Sequence, residues 1–412
     1  MNLLKVCMYR TAQFFMNKVF VPLVKFREPT LIRDAASFVK AADILKEKGY
    51  KKALVISGPT LKKLGRVNPL LERLEQFGIG HVEFYDVEPN PTFNSIVPAV
   101  ELAKKEGCDS IIAFGGGSNL DAAKIIGACL GNKTTDVKSL RGVLKVKKEI
   151  PFLITIPTTA GTGSEATVAA VIIDPVTKEK YAVTDPKLMP RYAILDETLL
   201  TSLPPQVIAY TGMDALTHAV EAYIGNATTK KTRKAALDSI NIIYHNLLGL
   251  YQDPHNLADS KNMLYASYLA GVAITRSYVG YVHALAHQIG GKYNIQHGLA
   301  NSVLLPYVLE AYGKKAQKKL GEIAKMLELC HPETDNEKAA AHFLQWIKIL
   351  RVQLSIPNTL EGSIKKEDLP ELVKHAYKEA NPFYPVPRIL NEKELTEIYY
   401  LIDPTLKGES AK

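Results

Sequence analysis

Short apolar runs alternate with amphipathic stretches through the first half of the chain. "KKALVIS", "HVEFYDV", "SIIAFGGG" and "PFLITIPTT" are rich in β-branched and aromatic residues and read as strands. Between them, "PTLKKLGRVNPLLERLEQFG", "SIVPAVELAKKEG" and "SNLDAAKIIGACLG" repeat their apolar residues every three or four positions and read as helices. Strand and helix in alternation predict a parallel sheet covered on both faces. After Leu203-Pro204-Pro205 the strand pattern stops. "QVIAYTGMDALTHAVEAYIG" and "RKAALDSINIIYHNLLGLYQ" have only helical periodicity. The reading is an α/β domain over residues 26–203, Rossmann-like with a parallel sheet, then an all-helical domain over residues 204–412.

A chain of 412 residues fits two or three domains. The first 25 residues are apolar and basic with no acidic side chain, and form a separate N-terminal extension. Lys5, Arg10 and Lys18 interrupt any signal-peptide core. An amphipathic helix packed on the protein or on a second subunit is favoured over one lying on a membrane surface. The net charge of +9 is spread along the chain with no arginine-rich block, so it reads as solvated surface that favours anionic ligands, not as a nucleic-acid interface. No 18-residue apolar run exists, so no membrane span is expected. Four scattered cysteines without a CxxC pair argue against disulfides and cysteine zinc sites, and fit the reducing cytoplasm.

Two loops and one histidine cluster carry the chemistry. Gly115-Gly116-Gly117-Ser118 stands between a strand and a helix, where backbone amides and the helix N-terminus attract phosphate. Ser118 with Asp121 three residues on reads as a capping box. The spacing is not GxGxxG, so the usual dinucleotide fingerprint is missing. A second glycine- and hydroxyl-rich loop, "PTTAGTGSEAT", comes after the next apolar strand. Further on, Asp214 and His218 stand four apart, as do His283 and His287, so each pair shares a helix face. "GGKYN" is expected to break the second helix and return His297 to the group. One carboxylate with two or three imidazoles is a ligand set for Fe(II) or Zn(II).

"GGGS", "TTAGTGSE", "GMDALTHAVEAY" and "HALAHQIGGKYNIQHGLANSVLLPYVLE" together resemble the iron-containing (group III) alcohol dehydrogenases, from about residue 30 to about 400. The resemblance implies a nucleotide-binding domain followed by a helical metal domain, often in a homodimer. It also implies reversible NAD(P)-dependent interconversion of small alcohols with aldehydes or ketones. By resemblance the metal ligands fall on Asp214, His218, His283 and His297. His287 falls where the family keeps a non-ligand histidine beside the substrate, and it is the candidate for moving the proton. Gly116, Gly117 and Ser118 match diphosphate contacts. Thr158, Thr159 and Thr162 match contacts around the phosphates and nicotinamide, and Lys180 a contact to the ribose.

Two stretches depart from the pattern. Members that use NAD commonly carry Asp at the end of the first nucleotide-domain strand. Here "ALVISG" puts Gly58 there, with Thr60, Lys62 and Lys63 beyond, so NADP(H) is expected over NAD(H). Before the metal histidines, "AITRSYVGYVH" replaces a stretch of small residues, and Arg276, Tyr278 and Tyr281 are expected to reshape the substrate site. Dehydroquinate-synthase-like lyases and glycerol dehydrogenases join similar domains, but the close Asp-x-x-x-His and His-x-x-x-His motifs favour the alcohol dehydrogenases. A non-enzymatic metal-binding scaffold at a membrane surface is the weakest alternative.

Overall fold

The computed structural model describes residues 3–20, 27–177 and 179–407. Residues 1–2 and 21–25 of the expected N-terminal extension, and residues 408–412 at the other end, lie outside the described residues. Contacts divide the chain into two compact units. One is residues 25–203 with 254–271; the other is residues 1–24, 204–253 and 272–412. The expected boundary after Leu203 is thus one of several crossings, since residues 254–271 pack with the α/β unit.

The α/β unit is built on a six-stranded sheet of order β1-β9-β6-β4-β2-β3, parallel throughout. Its strands are β1 (Thr30–Ile32), β2 (Lys52–Ile56), β3 (Gly80–Phe84), β4 (Ser110–Gly115), β6 (Phe152–Pro157) and β9 (Tyr192–Ile194). A smaller sheet holds β5 (Gly142–Val143) and the antiparallel pair β7 (Ala169–Ile173) and β8 (Lys180–Thr184). Between Thr30 and Ile194 run the helices α2 (Lys40–Lys48), α3 (Pro59–Lys63), α4 (Asn68–Gln76), α5 (Phe93–Glu106) and α6 (Gly117–Asn132); α1 (Leu3–Phe14) precedes them. The strands are apolar on both sides because both faces are covered. Leu54, Ile56, Ile111 and Ala113 enter one core with Ile96 and Leu120; Ala53, Val55, Ile112 and Phe114 enter the other with Leu45 and Leu74. Each leucine, isoleucine, valine or phenylalanine among them, taken from water, contributes about 1.5–3 kcal/mol. The helix expected over "PTLKKLGRVNPLLERLEQFG" is instead two, α3 and α4. They are separated at Gly65, whose φ of +65° no helix accepts.

The helical unit contains α7 (Pro205–Ile224), α8 (Lys230–Gln252), the end of α9 (Leu257–Ser277), α10 (Tyr281–Tyr293) and α11 (His297–Tyr312). It continues with α12 (Lys314–Met326), α13 (Asn336–Gln353), α14 (Leu369–Ala380) and α15 (Glu392–Ile402). Proline opens α7 at its first turn, where the missing N–H has no helical partner to lose. The "GGKYN" break differs from expectation. Gly290 and Gly291 remain helical, and the turn falls on Asn294 in the left-handed region (φ +55°). The short side chain of asparagine tolerates that conformation. No described helix is long and apolar enough to cross a membrane.

Candidate coenzyme and metal sites

In the α/β unit the chain leaves β2 for β3 on one side and reaches β4 on the other. The strand order therefore reverses beside β2 and β4, where open α/β sheets bind ligands at the carboxyl ends of their strands. Gly58 comes after β2, Gly116-Gly117-Ser118 after β4, and Thr158-Thr159 after β6, so the two predicted loops and Gly58 sit on adjacent strand ends. The Thr158 N–H donates to the Gly115 carbonyl at 3.0 Å, tying the second loop to the first. A Cβ on Gly117 would lie 2.5 Å from Thr162 Cγ2, and one on Gly116 would lie 3.4 Å from Thr159. The cradle thus depends on glycine to let the two loops close. Ser57 Oγ and Asn119 Nδ2 are buried there without a hydrogen-bond partner, which suits a polar ligand carrying hydroxyls and phosphates.

The expected capping box at Ser118 and Asp121 is not formed. The helix cap is Gly116, which has no side chain to offer, so Ser118 lies inside the first turn. Ser118 Oγ instead accepts from the Asn90 N–H (3.2 Å), and the Asn90 side-chain oxygen accepts from Lys180 Nζ (3.0 Å). Asn90 therefore links two of the predicted contacts. Asp121 turns inward, accepting from Ser164 Oγ (2.6 Å) and the Val171 N–H (2.9 Å). Lys124, fully buried, points its three N–H groups into a ring of acceptors, the carbonyls of Ser164, Thr167 and Ala169 and the hydroxyls of Ser164 and Thr167, all at 2.6–3.0 Å. Burial holds its pKa down to about 8, and pushes the neighbouring Glu165 carboxyl up to about 7. Thr60, Lys62 and Lys63 are exposed beyond Gly58, with Lys62 over the Tyr85 ring.

In the helical unit α7 supplies Asp214, His218 and Glu221, spaced four and three apart and so on one face. Helix α10 supplies His283 and His287, and α11 begins with His297. One ligand atom each from Asp214, His283 and His297 lies within 4.8 Å of the other two. His218 is not in that triangle, but its ring stacks on His283 with centroids 4.5 Å apart. Asn301, one turn into α11, aims its amide nitrogen at the same point. It lies 2.7 Å from Asp214 Oδ1 and 3.2 Å from both His283 Nε2 and His297 Nε2. Three acceptor atoms converging on one point, a carboxylate oxygen and two imidazole nitrogens, fit a divalent transition ion.

Two glutamates that spacing alone did not single out orient the histidines. Glu221 Oε2 accepts from His283 Nδ1 at 2.6 Å, and the same carboxylate accepts from the N–H groups of Gly280 and Val282 at the start of α10. A carboxylate only accepts, so the neutral His283 ring carries its proton on Nδ1 and turns the Nε2 lone pair the other way. Glu379 Oε1 accepts from His287 Nδ1 at 2.7 Å in the same manner. Tyr281, expected near the substrate, is instead fully buried. Its hydroxyl bonds Asn381 and the Leu390 backbone, which makes it core.

The chain matches two family models. Residues 29–197 match "Iron-containing alcohol dehydrogenase", and residues 208–402 match "Fe-containing alcohol dehydrogenase family, C-terminal". It is 37% identical over 345 residues to alcohol dehydrogenase 4 of Saccharomyces cerevisiae, covering 83% of this chain and 88% of the yeast one. It is 36% identical over 382 residues to the 1,3-propanediol dehydrogenase of Citrobacter freundii, covering 92% and 97%. The crystal structure of a 1,3-propanediol oxidoreductase superposes with a TM-score of 0.87 at 33% identity, over 92% of this chain and 99% of that one.

Proposed function

Because the chain belongs to the iron-containing alcohol dehydrogenase family, we infer that its two sites divide one reaction, the interconversion of a small alcohol and its aldehyde or ketone. The enzyme is an NAD-linked alcohol oxidoreductase. The observation that carries the assignment of its residues is the convergence of Asp214, His283 and His297.

Asp214, His218, His283 and His297 would hold Fe(II) or Zn(II), and Gly116, Gly117, Ser118, Thr158, Thr159, Thr162 and Lys180 the coenzyme. When bound, the ion supplies Lewis acidity to the alcohol or carbonyl oxygen and the nicotinamide carries the hydride. The protein's own contribution is orientation. Glu221 holds the Nδ1–H of His283, so in the neutral ring Nε2 is the nitrogen turned toward the ion. His287 is assigned the proton. Its Nδ1–H is held by Glu379, so Nε2 is the atom that receives a proton during oxidation and returns it during reduction. The glycines of the first loop bring backbone amides to the diphosphate, as the tight approach of Gly117 to Thr162 requires.

The coenzyme assignment extends to NADP(H). An acidic side chain at the end of β2 would bond the ribose hydroxyls and repel a 2′-phosphate; Gly58 does neither. A Cβ at Gly58 meets only Asn119, its Oδ1 at 3.7 Å, so Gly58→Asp is sterically admitted. With Fe(II)-loaded protein and one aldehyde, NADPH should be oxidised faster than NADH. Gly58→Asp should lower the NADPH/NADH ratio of kcat/KM roughly tenfold or more. An unchanged ratio removes the assignment of Gly58. No turnover with either coenzyme removes the residue assignments as a set.

A further inference from the structure

Helix α1 lies before residue 29, the first residue that either family model matches. It packs on the helical unit in an inverted manner. Its Leu4, Met8 and Phe14 are 60–72% exposed, whereas Gln13 is 4% exposed. A helix docked for apolar burial would do the reverse. Beside the contact of Lys5 and Tyr9 with the Tyr377 ring, the contacts it makes are directional. Arg10 Nη1 donates to the Val386 carbonyl (2.7 Å) and to Gln13 Oε1 (2.8 Å), and Nη2 donates to the Pro387 carbonyl (2.9 Å). Gln13 Nε2 donates to the Tyr384 carbonyl at 2.7 Å. Asn226, just past α7, grips the same segment by its N–H to the Pro385 carbonyl (2.6 Å) and its amide to the Val386 carbonyl (2.9 Å).

The segment so held leads to His287. Tyr384 donates its hydroxyl to Glu379 Oε1 at 3.0 Å, on the oxygen that accepts from His287 Nδ1 at 2.7 Å. Gln288 Nε2 donates to Glu379 Oε2 at 2.8 Å, which fixes the other side of the carboxylate. Burial and the adjacent Glu379 raise the Tyr384 pKa well above 10, so the phenol remains a donor. We infer that α1 is a positioning element for His287, acting through the Tyr384 carbonyl, the Tyr384 hydroxyl and Glu379. Glu379 and Tyr384 are positioning residues in the same chain of contacts. The inference rests on the assignment of the proton to His287.

Gln13→Glu tests it with one atom. The variant still accepts from Arg10 but has no N–H for the Tyr384 carbonyl; Gln13→Met serves if that variant does not fold. In full-length Zn(II)-loaded protein labelled with ¹⁵N-histidine, His287 of the parent should carry its proton on Nδ1. Gln13→Glu should broaden or split that signal, with zinc content unchanged. Its kcat should fall roughly 5- to 50-fold, the range expected when a reacting group is misplaced. Tyr384→Phe should show the same losses, and the double variant should lose at most about twofold more, because both changes break one chain of contacts. Leu4→Ser, on the exposed face, should alter neither signal nor rate. An Nε2–H tautomer in the parent, an undisturbed signal in Gln13→Glu, or losses that multiply in the double variant each overturn the inference. A disturbed signal with unchanged kcat supports the positioning and instead removes His287 from the reaction.

Discussion

The proposed coenzyme site and the proposed metal site use opposite materials. At the strand ends of the α/β unit the surface is mostly backbone, and what matters is where side chains are missing: at Gly58, Gly116 and Gly117. In the helical unit the site is all side chain. Helices α7, α10 and α11 each project an imidazole or carboxylate, and glutamates aim the two histidines of α10. A backbone site should fail when an atom is added, and a side-chain site when one is removed.

The largest test of that contrast is Asp214→Ala. It deletes the carboxylate of the triangle and should abolish stoichiometric metal binding by elemental analysis. Turnover should fall on the order of 10³-fold, since a Lewis acid is worth several kcal/mol. Retained metal with normal turnover would refute the side-chain account. Gly117→Ala makes the reverse change, adding one methyl group that must displace Thr162. Coenzyme binding by titration should weaken roughly 30-fold, the equivalent of about 2 kcal/mol of overpacking, while metal content holds. Adding Thr162→Ser, which removes the Cγ2 in the way, should restore part of the loss. A Gly117→Ala enzyme with unaltered affinity would mean that close approach is not what the glycine provides.

The smallest effect on turnover sits beneath the second loop, where charge rather than shape decides. Burial raises the Glu165 carboxyl from 4.5 to about 7, so the folded protein holds a proton that the unfolded chain releases across that interval. Stability should therefore fall as pH rises from about 4.5 to about 7, by up to roughly 3 kcal/mol in chemical unfolding. Glu165→Gln, which cannot ionise, should lack that component. An identical slope in both proteins would show that Glu165 does not titrate differently on folding.

Legibility in the sequence divides along the same line. Asp214 with His218, and His283 with His287, are visible because the helix repeat turns a spacing of four into a shared face. Glu221 lies on that face too, yet it resembles any glutamate until the fold brings it to His283. Glu379 stands 92 residues from the histidine it holds, and no local pattern spans that distance. The glycine loops are legible from their place after apolar strands. The spacing of Ser118 and Asp121 misleads, because a capping box needs Ser118 at the cap and Gly116 occupies that position instead. Asn90, between Ser118 and Lys180, lies on a loop whose sequence carries no periodic signal.

Helix α9 bears on how the protein is made. Its first part belongs to the α/β unit, where a Cβ on Gly271 would sit 2.3 Å from the Gly163 carbonyl oxygen and the Gly163 N–H donates to Ser267 Oγ at 3.1 Å. The loop that carries Thr158, Thr159 and Thr162 is thus backed by residues translated after α7 and α8. A nascent chain that has completed its parallel sheet must wait for those later residues before that loop can settle. A gene fragment ending at residue 203 would encode every strand and still lack the wall behind the loop.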